Sequence, residues 1–229
     1  MASTLYRPRP IVKWAGGKTQ LLPILRTYYG PLLEAGTIQR YVEPFMGSGA
    51  VLWDMLSRCP TLESVAIDQN ARLIAVYRVV QTAVDALIAE LSDLQARYWA
   101  ASHEARTTMY YAVRTAFNHH EGTAIHQAAQ FIFLNHTCFN GLYRVNRRAE
   151  FNVPMGRYRQ PTICDPHTLQ QAHLALQRVT LLAGDYHQAA HYGGHRLSCI
   201  WTHRIGRCLR RHPLRPTTPG PLAMTISGN

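Results

Sequence analysis

No acidic residue follows Asp185 in this 229-residue chain. The stretch from Tyr186 to Asn229 holds six Arg, five His and four Pro. No C-x-x-C pair occurs either, since Cys59, Cys138, Cys164, Cys199 and Cys208 are scattered. An odd, unpaired set excludes a zinc ribbon and argues for reduced thiols and no metal. No run approaches ~18 apolar residues, and the N-terminus lacks an apolar signal core. These absences lead us to expect a cytoplasmic protein with no membrane partner.

What is present supports a real core. Apolar residues make up 47% of the chain, enough for one α/β domain with an insertion or for two small domains. The net charge of +11 suggests a polyanionic partner. Six of the 24 Lys and Arg lie after Asp185, while all 13 acids lie at or before it, so residues 1–185 carry only +5.

Residues 40–45 read as a short strand, Met46-Gly47-Ser48-Gly49 as a loop, Ala50–Leu56 as the start of a helix, and Ser64–Ile67 as a second strand ending at Asp68. This strand–Gly loop–helix–strand unit opens a doubly wound α/β sheet. Residues 71–137 turn helical, with Val84, Leu87, Ile88, Leu91 and Leu94 at helical spacing. Two further helices are expected near 104–118 and 122–136. Residues 137–163 gain Asn, Gly and Arg, as a functional loop or hairpin would. Asp165-Pro166 forms an N-cap and first-turn pair, and Thr180–Ala183 a return strand.

Two glycine motifs stand out. Gly16-Gly17-Lys18-Thr19 resembles the end of a P-loop, but the first glycine of that pattern would be Val12. By itself it reads as a tight turn with a solvated Lys. Gly47-Ser48-Gly49 lacks a third glycine, since position 52 is Leu52. Its context is stronger: a strand precedes it, a helix follows, and Asp68 lies at the next strand end. Glycines let backbone approach a ligand, and such an acid can bind ribose hydroxyls. NAD and S-adenosylmethionine both suit this geometry; a Gly turn needed only for helix–sheet packing is the plainer reading.

Four strings occur in order: Lys13-Trp14-Ala15-Gly16-Gly17-Lys18, Glu43-Pro44-Phe45-Met46-Gly47-Ser48-Gly49, Asn140-Gly141-Leu142-Tyr143-Arg144-Val145-Asn146 and Glu150-Phe151-Asn152-Val153-Pro154-Met155-Gly156-Arg157-Tyr158. Together they closely resemble the Dam-like adenine-N6 DNA methyltransferases over roughly residues 8–194. The resemblance implies an S-adenosylmethionine-dependent, Rossmann-like methyltransferase core with an inserted helical DNA-recognition domain. It implies core segments at 8–75 and 164–194 and an insertion at 76–163.

It also implies roles. Trp14 and Lys18 would contact S-adenosylmethionine, Phe45, Gly47 and Gly49 would shape its pocket, and Asp68 would hold its ribose. Lys13 would face double-stranded DNA. Leu142, Arg144, Pro154 and Tyr158 match base-contacting positions of GATC-reading members. Phe139 and Asn140 match an aromatic–Asn pair beside the flipped adenine. The chemistry is consistent: Arg reads guanine bidentately, and Leu and Pro touch a thymine methyl. A planar residue fills the gap left by an extruded base. Arg147, Arg148, Arg157 and Arg159 suit phosphates. A monomer is expected, and restriction-modification, phage and housekeeping settings fit equally.

The family's catalytic Asp-Pro-Pro-Tyr is absent. That motif orients the poorly nucleophilic adenine amino group by accepting its hydrogens and stacking on its ring. No catalytic residue is therefore identified, although Asp185 could accept the amino hydrogens. A shifted reading of the tail suggests a cause. Trp201 is TGG and Thr202 is ACN, so their junction codon is GAC, Asp. The next three junctions permit Pro, Pro and Tyr, and Leu197–Trp201 permits Phe-Val-Tyr-Leu. We therefore expect 195–229 to be an out-of-frame tail. The function implied is site-specific adenine methylation, impaired in this chain. The alternative is a non-catalytic DNA-binding remnant, and a dinucleotide oxidoreductase is disfavoured by Lys13–Lys18 and the 140–158 loop.

Overall fold

The computed structural model describes residues 7–192 and the backbone of 197–199. After a 3₁₀ turn at Lys18–Leu21, the elements run α1 (Leu22–Glu34), β1 (Arg40–Glu43), α2 (Ala50–Arg58), β2 (Glu63–Asp68), α3 (Ala71–Thr82), α4 (Val84–Ala100), α5 (His103–Asn118), α6 (Ala124–Thr137), α7 (Pro166–Leu176), β3 (Val179–Ala183) and β4 (Leu197–Cys199).

The four strands form a parallel sheet in the order β3-β2-β1-β4. Chain order reverses between β1 and β4, so the crevice for a ligand opens beyond the carboxyl end of β1. Val42 pairs with Val65 on one side and with Cys199 on the other. The backbone of Leu197–Cys199 therefore fills the strand position beyond β1, although it lies in the tail expected to be aberrant. The rest of that tail lies outside the described residues.

Alternation along the strands sends side chains to two faces. Tyr41 and Ala66 join the main core beneath α2, α3 and α7. Val42, Val65 and Ile67 face the other way, against Leu182 of β3 and against Ala189 and Tyr192 of the segment between β3 and β4. Each fully buried Leu, Val or Phe contributes ~1.5–3 kcal/mol of transfer free energy.

The helical region follows the apolar spacing. Val84, Leu87, Leu91 and Leu94 are buried on α4, with Ile88 at the margin. α6 packs on α3, α4 and α5 and buries Phe131, Ile132, Phe133 and Leu134. Four helices carry side-chain N-caps: Asn70 accepts from Leu73 N, Ser102 from Ala105 N, Thr123 from His126 N and Asp165 from Thr168 N. Each cap stabilises by ~1 kcal/mol.

The expected boundary between residues 75 and 76 falls inside α3. That helix touches β2 and β3 as well as α6, and a single apolar core runs from Ile11 to Leu181 through sheet and insertion.

Candidate functional site

β1 ends at Glu43, and the next six residues form a tight loop against the sheet edge. Gly47 has φ +50° and Gly49 φ +70°, a left-handed conformation that costs other residues ~1–2 kcal/mol. Space forbids a side chain as well. A Cβ at Gly47 would stand 2.8 Å from Trp14 Cδ1, and one at Gly49 would stand 2.9 Å from Trp53 Nε1. Beneath the loop, Trp53 Nε1 donates to Ser48 O at 2.8 Å and Tyr77 hydroxyl donates to Gly47 O at 3.0 Å.

Asp68 closes the loop from the end of β2. Its Oδ2 accepts from Gly47 N at 2.8 Å and its Oδ1 from Asn70 N at 2.9 Å. A carboxylate has about four acceptor positions, so capacity remains for two ligand hydroxyls. Lys18 is half-buried in the charge field of Glu43 and Asp68. Burial lowers its pKa, while the two acids oppose the shift. Lys18 is therefore half-buried rather than fully solvated. The turn itself is present, with Gly16 at φ +77°.

Phe45 is half-buried, and its ring meets Tyr186 at 5.5 Å. Trp14, Lys18, Phe45, Gly47, Gly49 and Asp68 thus lie near one another, around the carboxyl ends of β1 and β2. Reading the sequence missed Glu43, which is 1% exposed and accepts from Leu52 N at 3.1 Å. Burial raises its pKa to about 8 against the pull of Lys18 and the Leu52 amide. Tyr186, Asn70, Trp53 and Tyr77 were missed too. Those four lie outside the quoted strings, whereas Glu43 opens one of them and was given no role there.

Residues 138–156 make a hairpin-like excursion closed by antiparallel bridges at Cys138–Met155 and Val145–Phe151. Its tip is set by Asn146, whose Oδ1 accepts from Arg148 N and Glu150 N. Its base is pinned to the helices: Tyr110 hydroxyl donates to Val153 O at 2.8 Å, and Asn118 bonds Phe151 N and O. Phe139, Asn140, Arg144, Pro154 and Tyr158 are exposed and Leu142 is half-buried. Phe139 is 50% exposed, unusual for a large apolar ring with a core available. Asn140 adopts φ +53°.

Lys13 lies beside this hairpin. Its Nζ stands 4.4 Å from the Tyr158 ring centroid. Its backbone is clasped by buried Asn135, which accepts from Lys13 N at 2.7 Å and donates to Lys13 O at 2.8 Å. The same amide donates to Gly141 O at 3.1 Å. Arg144 Nε donates to Asn152 Oδ1 at 2.7 Å, which holds the guanidinium at the hairpin surface.

Among the described residues no three His, Cys, Asp or Glu side chains gather as a metal site. Cys59, Cys138 and Cys164 are free thiols. No described helix is long and apolar enough to cross a membrane.

A parallel sheet reversing at β1, a glycine loop tied to a strand-end acid, and an exposed hairpin beside it define the α/β methyltransferase class. Residues 14–194 match the D12 class N6 adenine-specific DNA methyltransferase family, and the chain belongs to it. It is 43% identical to the type II methyltransferase M.MjaIII of Methanocaldococcus jannaschii over 78% of this chain and 62% of that protein. It is 39% identical to the DNA N-6-adenine-methyltransferase of Escherichia phage P1 over 67% of this chain and 18% of that protein. Identity to the DNA adenine methylase of Serratia marcescens is 34% over 67% of this chain and 51% of that protein. The chain thus spans less than two thirds of the length of each of these relatives.

Proposed function

We propose that the crevice at the end of β1 binds S-adenosylmethionine and that the 138–158 hairpin reads duplex DNA at a GATC-like site. The observation that carries the cofactor reading is the Gly47 N–Asp68 Oδ2 bond of 2.8 Å, which joins the ends of β1 and β2 around a loop too tight for side chains. Trp14, Phe45 and Tyr186 supply flat apolar surface, Asp68 supplies hydroxyl acceptors, and Lys18 supplies a cation. When bound, the group supplies an electrophilic methyl. Arg144 and Tyr158 read bases, Phe139 and Asn140 flank the extruded adenine, and Lys13 meets the duplex beside Tyr158. The activity proposed for the intact machinery is methylation of adenine N6.

A second reading applies to this chain as it stands: DNA binding without turnover. The position beyond β1 is taken by Leu197–Cys199, and the sequence after it carries no Asp-Pro-Pro-Tyr. We propose that residues from about 195 onward are read out of frame. The coding DNA tests this: a shifted frame that does not spell Asp-Pro-Pro-Tyr across Trp201–Ile205 sinks it.

Titration with S-adenosylmethionine and with a GATC duplex, beside a methyl-transfer assay, tests the rest. Binding of both without turnover supports the remnant. Turnover assigns the amino-group acceptor to another residue, with Asp185 the first to substitute. Failure to bind S-adenosylmethionine overturns the cofactor reading.

A further inference from the structure

We propose that Tyr143 is the positioning residue that couples the S-adenosylmethionine crevice to the DNA-reading hairpin, so that filling one tightens the other. This rests on the reading of the two surfaces given above.

Tyr143 lies between Leu142 and Arg144, two of the proposed base readers. Leu142 is extended, at φ −72° and ψ 144°, and neighbouring residues of extended chain point to opposite sides. Arg144 is exposed and Leu142 half-buried, while Tyr143 turns back into the core. Its ring is held between two others. On one side Trp14 stacks at 5.4 Å with planes 25° apart; on the other Phe131 stacks at 5.2 Å and 19°. Phe151, from the returning arm of the hairpin, meets it at 5.7 Å. One ring therefore touches the crevice wall, the α6 core and both arms of the reading hairpin.

A second link runs through Trp14, the ring against which Gly47 packs. Gly47 N in turn donates to Asp68 Oδ2, and Asp68 Oδ1 accepts from Asn70 N. Tyr143 is thus tied directly to Trp14 and, through Trp14 and Gly47, to Asp68. These two residues border the crevice from opposite sides of the glycine loop.

A plain core aromatic stacks on core rings alone. Here the stack also includes Trp14, the ring that walls the glycine loop. A ligand that fixes Trp14 and Asp68 restricts the Tyr143 ring, and with it the backbone that presents Leu142 and Arg144. The reverse follows by linkage, because a coupling free energy between two binding sites is reciprocal.

The test uses the full chain and binding alone. GATC-duplex affinity is measured with and without saturating S-adenosylhomocysteine in wild type, Tyr143→Phe and Tyr143→Leu. The expected wild-type coupling is about 5- to 10-fold. Tyr143→Leu brings it to about 1 while leaving each ligand's separate affinity within about threefold, and Tyr143→Phe, which keeps the stacked ring, retains the coupling. Amide exchange of residues 142–153 provides a measurement on folded wild-type protein: S-adenosylhomocysteine slows it there, and less so in Tyr143→Leu.

Equal coupling in wild type and Tyr143→Leu overturns the proposal. So does unchanged exchange in wild type when both ligands bind, and in either case the two-surface reading stands. If wild type binds neither ligand, that reading fails and the coupling falls with it.

Discussion

The backbone amide of Gly47 donates to Oδ2 of Asp68 at 2.8 Å, joining the ends of two neighbouring parallel strands. This bond sets the shape of the crevice, because it pulls the loop after β1 onto the strand end of β2. Its consequences can be measured one residue at a time.

Gly47→Ala places a methyl against Trp14 in a left-handed backbone. We expect stability to fall by ~1–2 kcal/mol and S-adenosylmethionine affinity to fall by about tenfold or more. Gly36→Ala is the control: φ is +64°, yet no atom lies within 4 Å of the added Cβ. It should lower the melting temperature and leave affinity unchanged. Calorimetric titration of both variants decides.

Asp68→Asn replaces one acceptor oxygen by a donor NH2, so the side chain no longer accepts from both Gly47 N and Asn70 N. Hydrogen bonds to a charged acceptor are worth ~1.5–3 kcal/mol. The expected result is a loss of S-adenosylmethionine binding with duplex binding alone preserved. Equal loss of both would show a collapsed fold instead.

Arg144→Ala removes the guanidinium that Asn152 holds in place. Competition between GATC and single-base variants should show discrimination at one base pair reduced by ~1–3 kcal/mol. Arg147→Ala should act differently, weakening all duplexes and lowering the salt-dependence slope by about one. The two effects separate a base reader from a phosphate contact.

Glu43 gives a pH signature. Burial raises its pKa from near 4.5 to about 8. The folded state then binds the proton more tightly than the unfolded one. The associated stability is full below about pH 4.5 and is lost as pH rises towards 8. Glu43→Gln should flatten this part of the curve, seen in melting temperatures between pH 5 and pH 8.5. A wild-type curve that rises across that window through this residue would contradict the assignment.

The loop of Gly47–Gly49, the flanking β1, α2 and β2, and the acid at Asp68 were legible because they are contiguous. Strand period, glycine spacing and a strand-end acid are local patterns, and the backbone realises them locally. The motif strings of the 140–158 loop were legible through their order and similarity to a family. Harder to see were Glu43, whose role depends on burial beneath α2, and Tyr143, whose neighbours are rings from distant parts of the chain. Asn135 belongs with them, since its clasp reaches Lys13 across 122 residues. α3 likewise packs on both the sheet and α6, a sharing that its own residues do not spell out.

By itself, the sequence determined the α/β class and the glycine loop with its acid. Each is written in neighbouring positions whose chemistry needs no partner elsewhere. Only the tertiary structure decided that the crevice and the hairpin share a wall, with Trp14 stacked on Tyr143. That contact exists because burying flat apolar rings against one another excludes water, and which rings meet is a property of the packed molecule.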